Sequence, residues 1–283
     1  MTIREAIVQA SAELKKAGIE SSSLDASLLL AHILNTSRTA LIASGADLLA
    51  EENLTALRAL IQRRLNGECT AYIIGKKEFR GLEFFVNQSV LVPRPDTETL
   101  VEAAITVISE QGVSDISVLD LCTGSGAVAI SLKNEMPHLE VSASDISAQA
   151  LETAKANAQR LLPDSSIQFY SGDLYSAIPQ SPFNLIVSNP PYIPTEKIKT
   201  LSAEVQNEPR IALDGGKSGL EIIKRIIDGA PVYLKRGGTL LLEADPCQMK
   251  DIKILLAEKG FKDIKLYIDL SGQTRVIGGS YEI

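Results

Sequence analysis

From residue 115 onward, short apolar runs alternate with helical patterns, and that alternation restricts the fold more than any other feature of the chain. Runs suited to strands fall at 117–121, 141–143, 167–170, 184–188, 239–243, 264–268 and 274–278. Between most of them apolar positions recur at helical spacing, most clearly over 148–162 and 220–228. Parallel neighbours need long crossover connections, so strands interleaved with helices predict an α/β domain with a mainly parallel sheet of seven strands.

The preceding part of the chain has a different texture. Thr2 and Glu5 fit a capping box, in which hydroxyl and carboxylate satisfy each other's backbone amides. Ile3, Ile7, Ala10, Leu14 and Ala17 come next at helical spacing, with Gly18 as a left-handed stop. A second helix is predicted over 24–34 behind a serine cap. A third is predicted over 51–65, where Leu54, Leu57, Ile61 and Leu65 form one apolar stripe. Phe79, Leu82, Phe84, Val86, Val90 and Val92, set among glycines and polar residues, predict a β-hairpin within 71–92. Pro93 and Pro95 then stiffen the approach to a helix starting near Asp96 or Thr97. The expected organisation is a small helical domain over 1–70, a hairpin linker over 71–92 and the α/β domain over 93–283.

Composition narrows the chemistry. The longest apolar cluster, at 28–34, falls far short of the ~20 residues of a membrane-spanning helix. No export signal opens the sequence. Cys69, Cys122 and Cys247 are scattered without a CxxC pair, which points to a reducing, cytoplasmic location and away from a zinc site. His32 lies in an apolar helical stretch and His138 follows Pro137, so a reaction needing a histidine base has few candidates. Net charge is -7, with the excess acid beyond residue 87. Tight binding to bare nucleic acid leans on a basic surface, so a protein partner is expected.

Three motifs carry chemistry. The first is Val118-Leu119-Asp120-Leu121-Cys122-Thr123-Gly124-Ser125-Gly126-Ala127, a strand, a glycine-containing turn and a helix start. Such a turn lets backbone approach a ligand and offers free amides, making Cys122, Thr123, Gly124, Ser125 and Gly126 cofactor-site candidates. Dinucleotide enzymes use similar loops, so this motif alone leaves the ligand open. The second is Asp145 at the end of the next strand, where a carboxylate can accept from both ribose hydroxyls. A further strand leads to Gly172-Asp173-Leu174; Asp173 and Leu174 could hold an adenine amine and ring face, or Asp173 could merely cap the next segment. The third is Asn189-Pro190-Pro191-Tyr192, directly after the run at 184–188. Two prolines make it rigid. The Asn189 side-chain oxygen and the Pro190 carbonyl can each accept a hydrogen from one planar NH2 group, and Tyr192 can pack on it.

Together these residues resemble the class I S-adenosylmethionine-dependent methyltransferases that modify amino groups of DNA bases, RNA bases or glutamine. More narrowly, the chain resembles the release factor glutamine methyltransferase (HemK/PrmC) family. The likeness runs through Gly75-Lys76-Lys77-Glu78-Phe79 with Gly81-Leu82, and through Val92-Pro93-Arg94-Pro95-Asp96-Thr97-Glu98. It continues at Glu208-Pro209-Arg210, Ala212-Leu213, Gly215-Gly216, Asp269-Leu270 and Arg275-Val276. The segment from Pro93 to Glu98 separates it from the sister family that methylates a ribosomal protein glutamine. Two positions depart from the family pattern: Cys122 replaces the first loop glycine, so that position needs a conformation tolerable to a Cβ. Glu243-Ala244-Asp245-Pro246 replaces a Glu-Ile-Gly pattern.

The resemblance implies a class I, Rossmann-like methyltransferase fold with S-adenosylmethionine as donor and S-adenosyl-L-homocysteine as product. Its implied substrate is the glutamine of the Gly-Gly-Gln motif in class 1 peptide chain release factors. The helical domain would grip the rest of the factor. Transfer would be direct and in line, with Asn189 and Pro190 orienting the amide, Asn189 also bordering the cofactor, Pro191 and Tyr192 completing the substrate site, and no metal. Two rivals share parts of this pattern: a DNA or RNA amino-group methyltransferase, and a binding protein that senses S-adenosylmethionine without catalysis.

Overall fold

A computed structural model describes residues 1–111 and 115–282; residues 112–114 and 283, which the expected α/β domain spans, lie outside the described residues. Contacts divide the chain into two compact units, Met1–Lys76 with Ser202–Asn207, and Lys77–Leu201 with Glu208–Ile283. Among the described residues no helix is long and apolar enough to cross a membrane.

The first unit is helical, with helices at Ile3–Lys16, Ser22–Ile33, Arg38–Ala43, Glu51–Leu65 and Thr70–Ile74. The expected capping box forms: Glu5 N donates to Thr2 Oγ1 at 3.2 Å and Thr2 N to Glu5 Oε2 at 2.8 Å. Leu14, Leu29, Leu30, Leu57 and Ile61 build a shared core. The expected serine cap of the second helix is not made. That helix starts earlier, and the Ser21 hydroxyl donates to Asp25 Oδ2 at 2.8 Å instead of accepting from a free amide. Asp25 is occupied in this way because it also pairs with Arg64, whose Nε lies 2.8 Å from the same oxygen in the buried interior. Arg64 reaches Glu204 as well, and Asn207 Nδ2 donates to Gly67 O at 2.9 Å, so residues 202–207 belong to this unit. Thr70–Ile74 is helical, which shortens the hairpin expected from residue 71.

The second unit begins with that hairpin, β1 (Lys76–Phe79) and β2 (Leu82–Phe85). Arg80 and Gly81 both take positive φ, 49° and 71°, the two-residue turn whose twist matches a tight hairpin. The main sheet holds β3 (Ser117–Leu121), β4 (Glu140–Asp145), β5 (Gln168–Ser171), β6 (Phe183–Ser188), β7 (Leu234–Glu243), β8 (Lys262–Ile268) and β9 (Thr274–Tyr281). Their order is β5-β4-β3-β6-β7-β9-β8, parallel except for the two pairings of β9. This is the seven-stranded class I methyltransferase sheet. Helices Glu98–Gln111, Ala127–Glu135 and Ala148–Leu161 accompany one apolar cluster, and Glu221–Tyr233 and Met249–Glu258 another, so both faces of the sheet are covered.

Strand order reverses between β3 and β6. At such a switch point the loops diverge to opposite faces and leave a crevice outside the carboxyl ends. The register aligns those ends: Leu121 pairs with Ser144 and with Ser188, and Ser188 pairs with Leu242. The Ser188 hydroxyl donates to Leu121 O at 2.7 Å and ties the two central strands together there. The residues at the end of each strand therefore emerge side by side.

Candidate active site

Those residues are Cys122 after β3, Asp145 at the end of β4, Asn189 after β6 and Glu243 at the end of β7. A cleft of about 220 Å³ opens above them, lined by Asp120, Cys122 to Ser125, Asp145, Asp173, Leu174, Asn189 and Pro191, among others. The structure thus gathers most of the residues singled out by sequence into one cavity of the second unit. Gly126 sits beneath it as the helix N-cap, and a Cβ there would come within 2.8 Å of Ile130 Cδ1. Its lack of a side chain serves helix packing. Pro190 is buried, and Tyr192 packs on the apolar cluster under the sheet, with its hydroxyl 3.5 Å from Glu243 Oε1. Burial pushes the Tyr192 phenol well above its ordinary range. His32 and His138 are exposed and do not line the cleft.

The glycine turn is held by carboxylates. Asp145 Oδ2 accepts from Gly124 N and its Oδ1 from Ser147 N, both at 2.9 Å. Each oxygen keeps a further lone pair for a ligand. Burial raises the Asp145 carboxyl above its usual range despite these bonds. Asp173 Oδ2 accepts from Arg225 Nη2 at 2.7 Å, an ion pair half open to solvent, and both residues line the cleft.

Asp120 is a site residue that sequence reasoning misses, though an acid inside an apolar strand is an available signal. It is 1% exposed; its Oδ2 accepts from Thr123 Oγ1 at 2.6 Å and Ala129 N at 3.2 Å, and its Oδ1 has no partner. Burial pushes its carboxyl up to about 7, against those two hydrogen bonds. A carboxyl raised in the folded state holds a proton that the unfolded chain has already released. Its contribution to stability is therefore complete below about pH 4 and lost as pH rises to about 7. Urea unfolding across this window is expected to show stability falling with pH, by up to about 1.4 kcal/mol per pH unit for one such proton. Glu243, also raised to about 7 by burial, acts in the same sense. Asp120→Asn is expected to make the slope shallower; an unchanged slope would contradict the assignment.

Cys122 adopts φ 60°, in the small left-handed region, so the conformation compatible with a Cβ is one that most residues avoid. Burial first, then the Asp145 carboxylate, push its thiol well up, so it is a neutral, unreactive sulfur. Cys122→Gly is expected to leave stability within about 1 kcal/mol, because relief of the left-handed penalty offsets lost packing and added chain entropy. Cys122→Val places a branched Cβ at the same φ and is expected to cost about 2 kcal/mol in urea unfolding.

The Asn189 to Tyr192 segment rests on a second loop. Ile193 N donates to Leu213 O at 3.0 Å, Gly215 N to Ile193 O at 2.9 Å, and Thr195 N to Gly216 O at 2.9 Å. Gln248 Nε2 donates to both Tyr192 O at 2.9 Å and Gly219 O at 3.2 Å. The family-like Gly215-Gly216 stretch is thus a brace for the proline segment. Arg94 and Glu98, near neighbours in sequence, part company. Arg94 pairs with Glu208, whose carboxylate also accepts from Val92 N, and Glu98 Oε1 accepts from Arg80 N at 3.4 Å. Asn157, fully buried, joins the hairpin to the glycine turn by donating to Phe85 O and Ser125 O, each at 3.0 Å. No local pattern marks Asn157, since its partners lie 72 and 32 residues away.

Four carboxyl groups line the crevice, Asp120, Asp145, Asp173 and Asp214, against two arginines, Arg94 and Arg225; this acidic excess, with one buried oxygen unpartnered, fits a nucleoside ligand that carries positive charge and hydroxyl donors. The Asn189 side chain lines the same cavity.

Comparison with known proteins bears on both. Residues 5–75 match the PrmC N-terminal domain and residues 102–207 the methyltransferase small domain. A release factor glutamine methyltransferase of Geobacter sulfurreducens is 37% identical over 279 residues, covering 98% of this chain and 96% of its own. One from Vibrio cholerae is 38% identical across 100% of this chain and 98% of its own. Among solved structures, a methyltransferase from Pyrococcus furiosus shares the fold, with a TM-score of 0.54 at 18% identity over 80% of this chain and 98% of that one.

Proposed function

The chain belongs to the release factor glutamine methyltransferase family, and on that premise we propose a specific reaction for it. It transfers a methyl group from S-adenosylmethionine to the side-chain amide nitrogen of the glutamine in the Gly-Gly-Gln motif of class 1 peptide chain release factors. The observation that carries the reading is that Asn189 lines one cleft together with Asp145 and the glycine turn.

When bound, S-adenosylmethionine supplies a methyl carbon on a sulfonium, already a good leaving group. Asp145 would take the ribose hydroxyls, Asp173 with Leu174 the adenine, and the backbone of Cys122 to Ser125 the remainder. The chain's own work is then alignment. Amide nitrogen is a poor nucleophile because its lone pair is delocalised. Asn189 Oδ1 and the Pro190 carbonyl each accept one hydrogen of the glutamine NH2. Holding both hydrogens out of the amide plane leaves the lone pair directed at the methyl carbon. Tyr192, anchored through Glu243 and through Gln248 at its carbonyl, keeps that segment fixed. No strong base is needed before attack, in keeping with a cleft without histidine: the sulfur would leave as S-adenosyl-L-homocysteine, and the methylated nitrogen, cationic and strongly acidic, would then release one proton to water.

The helical unit is assigned to recognition of the release factor, and the cytoplasm to the reaction; three free cysteines accord with a reducing compartment. Incubation with methyl-labelled S-adenosylmethionine and either a release factor or nucleic acid tests the reading. Label is expected in the release factor. Label in nucleic acid instead would replace the proposed substrate, and no transfer with cofactor bound would point to a sensing protein.

A further inference from the structure

Thr97 has no part in the reaction as written, yet it lies against the reacting position. It is 4% exposed and ends the 3-10 turn Pro95–Thr97. Its hydroxyl offers one proton and two lone pairs. Thr97 and Asn189 both line the cleft. A lone pair of the hydroxyl receives Asn189, whose Nδ2 is 3.0 Å from Thr97 Oγ1. With Nδ2 turned to Thr97, Oδ1 of the same planar amide points away from that hydroxyl. The bond therefore holds the amide in the orientation that leaves Oδ1 for the cleft. The reversed amide would set an NH2 group against the substrate NH2, donor against donor, with neither satisfied.

We propose that Thr97 is a positioning residue for methyl transfer: its hydroxyl fixes the Asn189 amide with Oδ1 toward the acceptor glutamine. The assignment rests on the reading of the chain as a glutamine methyltransferase. It gives the turn over Pro95–Thr97 a task, the delivery of a hydroxyl at this point.

Thr97→Val keeps the shape and removes the hydroxyl, whereas Thr97→Ser keeps the hydroxyl and removes the methyl. In steady-state methylation of a release factor, Thr97→Val is expected to lower kcat about 10- to 100-fold, the scale of a misplaced reactant. Its KM for S-adenosylmethionine is expected to stay within about twofold, since the residues assigned to that ligand, Asp145, Asp173 and the glycine turn, follow other strands. Thr97→Ser is expected to recover kcat to within about threefold of the parent protein. Wild-type kcat in Thr97→Val, or equal impairment in Thr97→Ser, overturns the assignment. NMR of the unaltered protein provides a test that needs neither folding of a variant nor activity. One Asn189 side-chain NH proton is expected to lie close to Thr97 and to exchange slowly with solvent; absence of that contact also overturns it. An unaltered protein inactive on release factors would count against the reaction, and the NMR result would then decide on Thr97 by itself.

Discussion

Asn189→Ala is expected to reduce methyl transfer to a release factor by at least about a thousandfold, with S-adenosylmethionine still binding within a few-fold of the parent. The loss is large because the amide does two things at once. Its Oδ1 accepts one hydrogen of the substrate NH2, and with the Pro190 carbonyl it sets the direction of the nitrogen lone pair. A truncated side chain leaves one hydrogen unheld and the nucleophile planar. Cofactor binding survives because Asp145, Asp173 and the glycine turn lie at the ends of β4, β5 and β3, while Asn189 follows β6. Steady-state rates with calorimetric binding of the donor separate the two effects. A rate within tenfold of the parent would remove Asn189 from the mechanism.

The second large effect is expected far from any substrate contact. Gly219 has φ 79°, and a Cβ there would lie 2.3 Å from Tyr192 O and 2.7 Å from Gln248 Nε2. Tyr192 O is backbone, already held by Gln248, so it cannot yield without displacing the segment that carries Asn189. Gly219→Ala adds the left-handed penalty to that overlap, and a stability loss of about 3 kcal/mol is expected in urea unfolding. The folded fraction is expected to show a reduced kcat with little change in donor affinity. Parental stability and rate would mean that the brace around Tyr192 does not position the site.

Legibility in the sequence tracks the range of the interactions. The run at 117–121 carries Val118, Leu119 and Leu121 around the buried Asp120 and coincides with β3 to the residue, because a strand buried on both faces needs apolar residues on each. The apolar run of β7 starts only at 239, although the strand begins at Leu234. Lys235, Arg236, Gly237 and Gly238 carry no apolar signal, and the register shift between Phe183 and Leu185 falls beside them. The helix expected over 220–228 continues to Tyr233 through Gly229 and Pro231. Gly229 is there to admit the Tyr175 ring, which a Cβ would meet at 2.6 Å, a tertiary reason that local propensity cannot reveal.

The site divides in the same way. Cys122 to Gly126, Asp145 and Asn189 to Tyr192 sit at strand ends, where strand and turn signals in the sequence locate them. Thr97, Glu243, Gln248 and Gly219 act on Tyr192 or Asn189 from segments 27 to 92 positions distant. Their types are ordinary, and only the packing brings them to the proline segment. Cys122 illustrates a third case: the departure is visible in the sequence, but its left-handed φ is not.

The central claim is that the methyl group goes to one glutamine amide nitrogen of a release factor. Incubating the protein with methyl-labelled S-adenosylmethionine and a class 1 release factor, then applying peptide mass spectrometry, measures it directly. A single added methyl on the side chain of the Gly-Gly-Gln glutamine, absent with Asn189→Ala, is the predicted result. A methyl on any other residue, or an unmodified glutamine while nucleic acid takes the label, would contradict it.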